Sequence, residues 1–275
     1  QTVWILTEER PKREVITKIM EKLFHEKGIS GFIDTIRIVP VLDADGSFTA
    51  KYEVLGVKSP AIRNINLRIV SGNSSFVDYL VYFQEKQPTP QDRPLFVIEE
   101  TKTDDSESRN TGVYQRATKF VYAEVFYPNV DKTMLYNFQK PPSLTSTKTN
   151  IFGTRCLRTL GVNFLGKAES ADSREPFKSV EELIEVKASM PLPPAGNVPI
   201  LIEKIGDEQI SISGRLVKSG GLAHDPNIGA LTLIAATLRK LGWSKRIVIT
   251  RHGLSQSMVR PGNKFVQIAG HNQIE

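Results

Sequence analysis

Two apolar runs rich in β-branched and aromatic residues, Phe76 to Phe83 and Leu95 to Lys102, flank a polar segment holding Pro88, Pro90 and Pro94. Each run predicts a strand. Each also carries acid where a core strand ordinarily has none: Asp78 in the first, Glu99 and Glu100 in the second. Side chains alternate faces along a strand, so Glu100 and Lys102 share one face while Glu99 and Thr101 share the other. If the two strands pair, Asp78 joins Glu100 and Lys102, and two carboxylates converge with a lysine. Two carboxylates suit a hard divalent cation such as Mg²⁺, which keeps most of its waters for exchange with substrate. A lysine beside it orients or helps deprotonate an attacking water and offsets charge on phosphorus.

An acid on one strand followed by Glu-x-Lys on the next resembles the PD-(D/E)xK nuclease superfamily. Asp78 takes the first position and Glu100-Thr101-Lys102 the second, with Val77 standing where the motif has proline. The resemblance implies an α/β fold: a restriction-endonuclease-like mixed central sheet flanked by helices, an αβββαβ core, here with a C-terminal α/β elaboration. It implies that Asp78 and Glu100 hold Mg²⁺ with the backbone carbonyl of Thr101, and that Lys102 positions the water. In-line attack on phosphorus then leaves a 5′-phosphate and a 3′-hydroxyl. The activity implied is that of a type II restriction endonuclease on double-stranded DNA. Cutting both strands of a palindromic site implies a homodimer. Other DNA enzymes use the same core, so a nickase, a repair endonuclease or a junction resolvase is the alternative, and a non-catalytic DNA-binding protein is the alternative from another class.

With 275 residues the chain can bury a substantial core, as one large domain or two small ones. Its longest apolar run, Ile228 to Leu238, is too short to span a bilayer, so no membrane association is expected. Charges of both signs between Thr7 and Arg13 do not resemble a signal peptide. Cys156 is the only cysteine, which excludes an internal disulfide and fits a reducing, cytoplasmic compartment. The net charge of +6 suits a polyanionic partner.

Along the chain, Pro11 to Lys27 predicts an amphipathic helix, with Val15, Ile16, Ile19, Met20, Leu23 and Phe24 at helical spacing and Gly28 to stop it. Glu14 and Glu21 lie nearer its polar side. In the superfamily an early-helix acid often supplements the metal site, although solvated acids are the plainer reading. Ile33 to Leu42 and Ser47 to Val57 read as a hairpin about Asp43-Ala44-Asp45-Gly46, which lacks the further ligands of a calcium loop. A strand near Ile65 to Val70 follows, then the two acidic strands as a meander. Thr103 to Gly112 reads as a loop, and Val113 to Phe126 as a helix with an inner stripe of Val113, Ala117, Phe120, Val121 and Val125. Thr133 to Phe138 closes the core as a strand.

Pro141 to Asn150 is the candidate boundary between a nuclease core, residues 1–140, and a C-terminal part, residues 141–275, for DNA recognition and dimerisation. Ile151 to Lys167 is mixed in character. A Ser179-capped helix to Ser189, a strand pair at Val198 to Glu203 and Gln209 to Ser213, and a helix from Pro226 to about Leu241 follow. Strands at Ile247 to Thr250 and Lys264 to Ile268 end the chain. Candidate DNA contacts are Arg109, Asn110, Gln115, Arg116 and Lys119 near the acidic strands, and Arg215, Lys218, His224, Asn227 and Arg251 in the C-terminal part. Arg, Asn and Gln are suited to bidentate contacts with base edges, the rest to phosphate.

Competing motifs are weaker. Glu185-Val186-Lys187 repeats the Glu-x-Lys spacing on a predicted helix, where the two side chains diverge. Arg251-His252-Gly253 is similar to the phosphate-binding turn of histidine phosphatases, but only 22 residues follow it. The four histidines show no zinc spacing. Without a Gly-rich phosphate loop carrying a following Lys and Ser/Thr, no nucleotide cofactor is expected.

Overall fold

A computed structural model describes residues 1–70, 77–89, 91–101, 113–136, 148–166, 174–190, 200–215 and 226–252. The chain is an α/β protein with a large mixed sheet flanked by helices. It divides into two compact units at Glu99/Glu100.

The first unit holds β1 (Thr2–Thr7), α1 (Arg13–Lys27), β2 (Phe32–Pro40), β3 (Lys51–Lys58), β4 (Asn64–Ile69), β5 (Tyr79–Gln84) and the first residues of β6 (Phe96–Thr101). The strand order is β2-β3-β4-β1-β5-β6. β1 runs parallel to β4 and antiparallel to β5, and every other neighbouring pair is antiparallel. The expected meander from β4 to β5 is therefore corrected: β1 lies between them. Both edges of β1 are paired, and Val3, Ile5 and Leu6 are buried.

Helix α1 buries Val15, Ile16, Ile19, Met20 and Leu23, with Phe24 half-buried. Gly28 ends it at φ +59°, where its N–H reaches back to the last turn as a left-handed cap. The Lys22 ammonium lies 4.6 Å from the centre of the Phe96 ring, a cation–π contact between α1 and β6. Between β2 and β3, Asp43 accepts from Thr49 at 2.9 Å and Lys51 at 2.5 Å, which gives the turn a fixed base. The lysine hydrogen bond, with smaller help from Thr49 and Ser47, lowers the Asp43 pKa against a weak opposing effect of burial.

The second unit begins with the last residues of β6. It continues through α2 (Val113–Phe126), β7 (Asp131–Tyr136), α3 (Lys148–Thr159), β8 (Val162–Gly166), α4 (Val180–Ala188), β9 (Leu201–Ile205), β10 (Gln209–Arg215), α5 (Pro226–Lys240) and β11 (Arg246–His252). β7 and β8 are parallel. β9 and β11 flank β10, antiparallel and parallel respectively, in a three-stranded sheet. Ile210 and Ile212 of β10 join Leu231, Leu233, Ile234 and Leu238 of α5 in one buried cluster with α2 and α3.

Tyr114 is where the helices of this unit meet: its hydroxyl donates to the Thr149 carbonyl at 2.5 Å, and Gly153 of α3 and Gly229 of α5 come against it. Helix α2 has the expected limits, but Val125 is 61% exposed and does not belong to the inner stripe, whose later positions are Phe120 and Ala123. The mixed stretch after residue 150 resolves into α3 and β8. The Ser179 cap is present: its hydroxyl accepts from the Glu182 N–H at 3.1 Å. The expected strand at Lys264 to Ile268 and most of the Pro141 to Asn150 link lie outside the described residues.

Candidate active site

The register of β5 on β6 is Tyr79 opposite Ile98, Leu80 opposite Val97 and Val81 opposite Phe96. One step beyond the first of these pairs, Asp78 comes opposite Glu99. A hydrogen bond marks the spot: the Asp78 N–H donates to Glu99 Oε2 at 3.2 Å. Residues directly opposite in an antiparallel pair share a face. The ladder thus makes Glu99 the neighbour of Asp78, and alternation along β6 turns Glu100 the other way. Asp78 itself lies in a bend before β5 begins, outside the part of the strand where the pleat dictates side-chain direction.

Glu99, Glu100 and Thr101 are 3%, 4% and 3% exposed, and Asp78 is half-buried. Two consecutive buried carboxylates at a strand end are costly to desolvate and need compensation by hydrogen bonds or positive charge. Lys102, the expected lysine of the group, lies outside the described residues, as do Arg109 and Asn110.

On the second unit's side of the division, Arg116 of α2 donates through Nε to the backbone carbonyl of Glu100 at 3.3 Å. Arg116 and Lys119 are half-buried, and Gln115 stands beside them on α2. Asn227 is half-buried in the first turn of α5. Arg215 ends β10 opposite His252 of β11, and Arg251 pairs with Gly214 one position earlier in the ladder. Lys218 and His224 lie outside the described residues. Glu14 and Glu21 are exposed on α1. Glu185 and Lys187 of the second Glu-x-Lys stand on helix α4, where burial pushes the Lys187 ammonium pKa down.

Glu99 is the acid that the motif passed over. Its signal in the sequence was its place beside Glu100, and only the strand ladder gives it a partner. Among the described residues no three His, Cys, Asp or Glu side chains gather as a metal-holding group. The donors that the motif assigns to Mg²⁺, the carboxylates of Asp78 and Glu100 and the carbonyl of Thr101, would all be hard oxygens. That chemistry fits a hard cation that retains part of its water shell and takes one or two protein carboxylates. The chain matches no family model, no curated protein and no solved structure. What the fold defines is an α/β protein with a large mixed sheet, and among the described residues no helix is long and apolar enough to cross a membrane.

Proposed function

We propose that the chain is a Mg²⁺-dependent DNA endonuclease of the PD-(D/E)xK type, acting on double-stranded DNA as a homodimer in the manner of a type II restriction enzyme. The observation that carries the reading is the acidic end of the β5–β6 pair, where Asp78 is hydrogen-bonded to Glu99 and Glu100 and Thr101 follow directly, all three β6 residues buried. In this reading Asp78 and Glu100 hold the cation with the Thr101 carbonyl, and Glu99 keeps the Asp78 backbone in place. Bound Mg²⁺ supplies charge against the negative charge that develops on the phosphate in the transition state. Lys102 orients the attacking water. The phosphodiester opens to a 5′-phosphate and a 3′-hydroxyl. The net charge of +6 and the basic end of the β10–β11 pair suit the polyanionic substrate.

Incubation with supercoiled plasmid and Mg²⁺, with and without EDTA, tests the reading. Discrete linear fragments that EDTA abolishes are expected. Nicked circles alone assign a nickase, and retarded but intact DNA assigns a binding protein. Glu100→Ala and Lys102→Ala should each lower cleavage by at least about 100-fold, the scale for losing one group that stabilises transition-state charge. Wild-type cutting by either variant overturns the assignment of these residues.

A further inference from the structure

Arg116 stood out in the sequence as a cation for base edges or phosphate, but its Nε–H is directed at the protein's own backbone, the Glu100 carbonyl at 3.3 Å. The geometry points to Arg116 as a positioning residue that holds the end of β6, an inference that rests on the nuclease reading and deepens it. The bond joins residues 16 apart in sequence, one near the end of strand β6 and one in the first turn of α2.

The carbonyl it holds belongs to the peptide linking Glu100 to Thr101. That peptide lies between the two β6 donors assigned to the cation, the Glu100 carboxylate before it and the Thr101 carbonyl after it. A displacement of that peptide would shift the Cα atoms on either side of it, from which the Glu100 carboxylate and the Thr101 carbonyl are positioned. Arg116 springs from a helix whose buried residues Val113, Tyr114, Ala117 and Phe120 lock it into the core of the second unit, so the donor is presented from a rigid support. A donor on such a support fixes ligand orientation without touching substrate, and removal of groups of this kind lowers metal affinity by about 10- to 100-fold.

Two substitutions separate this role from a DNA contact. Glutamine places its Nε2–H the same number of bonds from the backbone as arginine's Nε–H. Arg116→Gln therefore keeps the donor and loses the charge. Arg116→Met keeps the stem and loses both. Cleavage of plasmid is measured against Mg²⁺ concentration, against DNA concentration and against salt, and Mg²⁺ binding is measured separately by calorimetry without DNA. Arg116→Met is expected to need about 10-fold more Mg²⁺ for half-maximal cleavage and to bind Mg²⁺ about 10-fold more weakly, while Arg116→Gln stays within about 2-fold of wild type in both. The apparent KM for DNA and the salt dependence should be unchanged in both variants.

If the role is a phosphate contact, both variants raise KM and both lower the salt slope by about one, with Mg²⁺ dependence intact, and the inference is overturned. Equal Mg²⁺ affinity in Arg116→Met and wild type overturns it as well. A wild-type protein that binds Mg²⁺ but does not cut overturns the nuclease reading alone, and the calorimetric comparison of the two variants still decides the positioning role. A wild type that neither binds Mg²⁺ nor cuts overturns both.

Discussion

Substituting Gly229 by alanine pits helix propensity against packing, and the structure says which wins. Gly229 lies in α5, where alanine is favoured over glycine by about 1 kcal/mol on backbone entropy alone. A Cβ built on it meets the Tyr114 carbonyl oxygen at 1.8 Å and its carbon at 2.6 Å. Ordinary carbon–oxygen contacts begin near ~3.3 Å, so α5 and α2 would have to part by about 1.5 Å. Neither partner is a movable side-chain tip: both are helix backbone. A gap of even ~1 Å forfeits up to half of each dispersion contact across it, and the interface concerned includes Ala230, Leu233, Ile234, Ala117 and Phe120, all buried. Overpacking of this kind costs about 1–3 kcal/mol and more where backbones collide. Set against the propensity gain, the net expectation is a destabilisation of about 2 kcal/mol. At this chain length that is a fall of about 4–8 °C in Tm. The chain has two tryptophans, Trp4 in the first unit and Trp243 just beyond α5 in the second. In a Trp4→Phe background, Trp243 emission during urea unfolding therefore reports the unit that holds the contact. A midpoint equal to or above that of the parent would refute the reasoning, because it would mean the helices have room that the close approach denies.

Cys156 is fully buried and its thiol pKa is pushed up to about 12 by burial, against weaker opposing effects of the Thr237 hydroxyl and Arg155. At pH 8 it should react with a thiol reagent only as fast as the second unit opens, and stoichiometrically once urea unfolds it; rapid labelling of the folded protein would contradict the buried placement. Burial raises the Glu124 pKa, but the Lys132 ammonium at 2.5 Å, the Asn129 N–H and the Lys132 and Lys240 charges outweigh it, so the carboxyl titrates below its usual range. Its contribution to stability is thus present above the unfolded-state value and disappears as pH falls through the lower folded-state value. Glu124→Gln should lower the urea midpoint at pH 7 and bring it closer to the parent's at pH 3, and an identical gap at both pH values would remove Glu124 from the account. Because Lys132 is 3% exposed, Glu124→Ala should be worse than Glu124→Gln, which keeps an acceptor for the ammonium.

Elements whose ends carry chemistry were legible. Gly28 closes α1 as a left-handed cap and Ser179 opens α4 through its hydroxyl, while Pro226 is the first residue of α5 and Pro128 lies just past α2. What could not be read were elements whose burial pattern departs from the usual period. β1 is buried on both faces, so Thr2 to Thr7 lacks the alternation of a half-buried strand, and periodicity alone does not separate so short an apolar run from a buried helix segment. α3 begins close to a Pro, Ser and Thr-rich stretch and holds Gly153, a poor helix former. A Cβ there would meet Tyr114 and Val113 at 2.9 Å, so close packing against α2 explains the residue that obscures the helix.

The same limit governs the site. Two adjacent acids on one strand face opposite sides of a sheet, and periodicity alone cannot say which one a residue on the next strand will meet. A slip of a single residue exchanges them. Spacing in the chain selects Glu100, because Lys102 follows it at the right interval. The ladder selects Glu99, because Asp78 follows Tyr79 outward along the register and its N–H ends on the Glu99 carboxylate. The two criteria test different things, chemical kinship and physical neighbourhood, and they come apart under mutation. If Glu100 is the ligand and Glu99 the support, Glu100→Gln should abolish Mg²⁺-dependent cleavage at every Mg²⁺ concentration. Glu99→Gln, whose amide oxygen still accepts the Asp78 N–H, should retain most of it. The reverse order of severity would move the ligand role to Glu99 and leave Glu100 as a buried acid whose backbone carbonyl anchors Arg116.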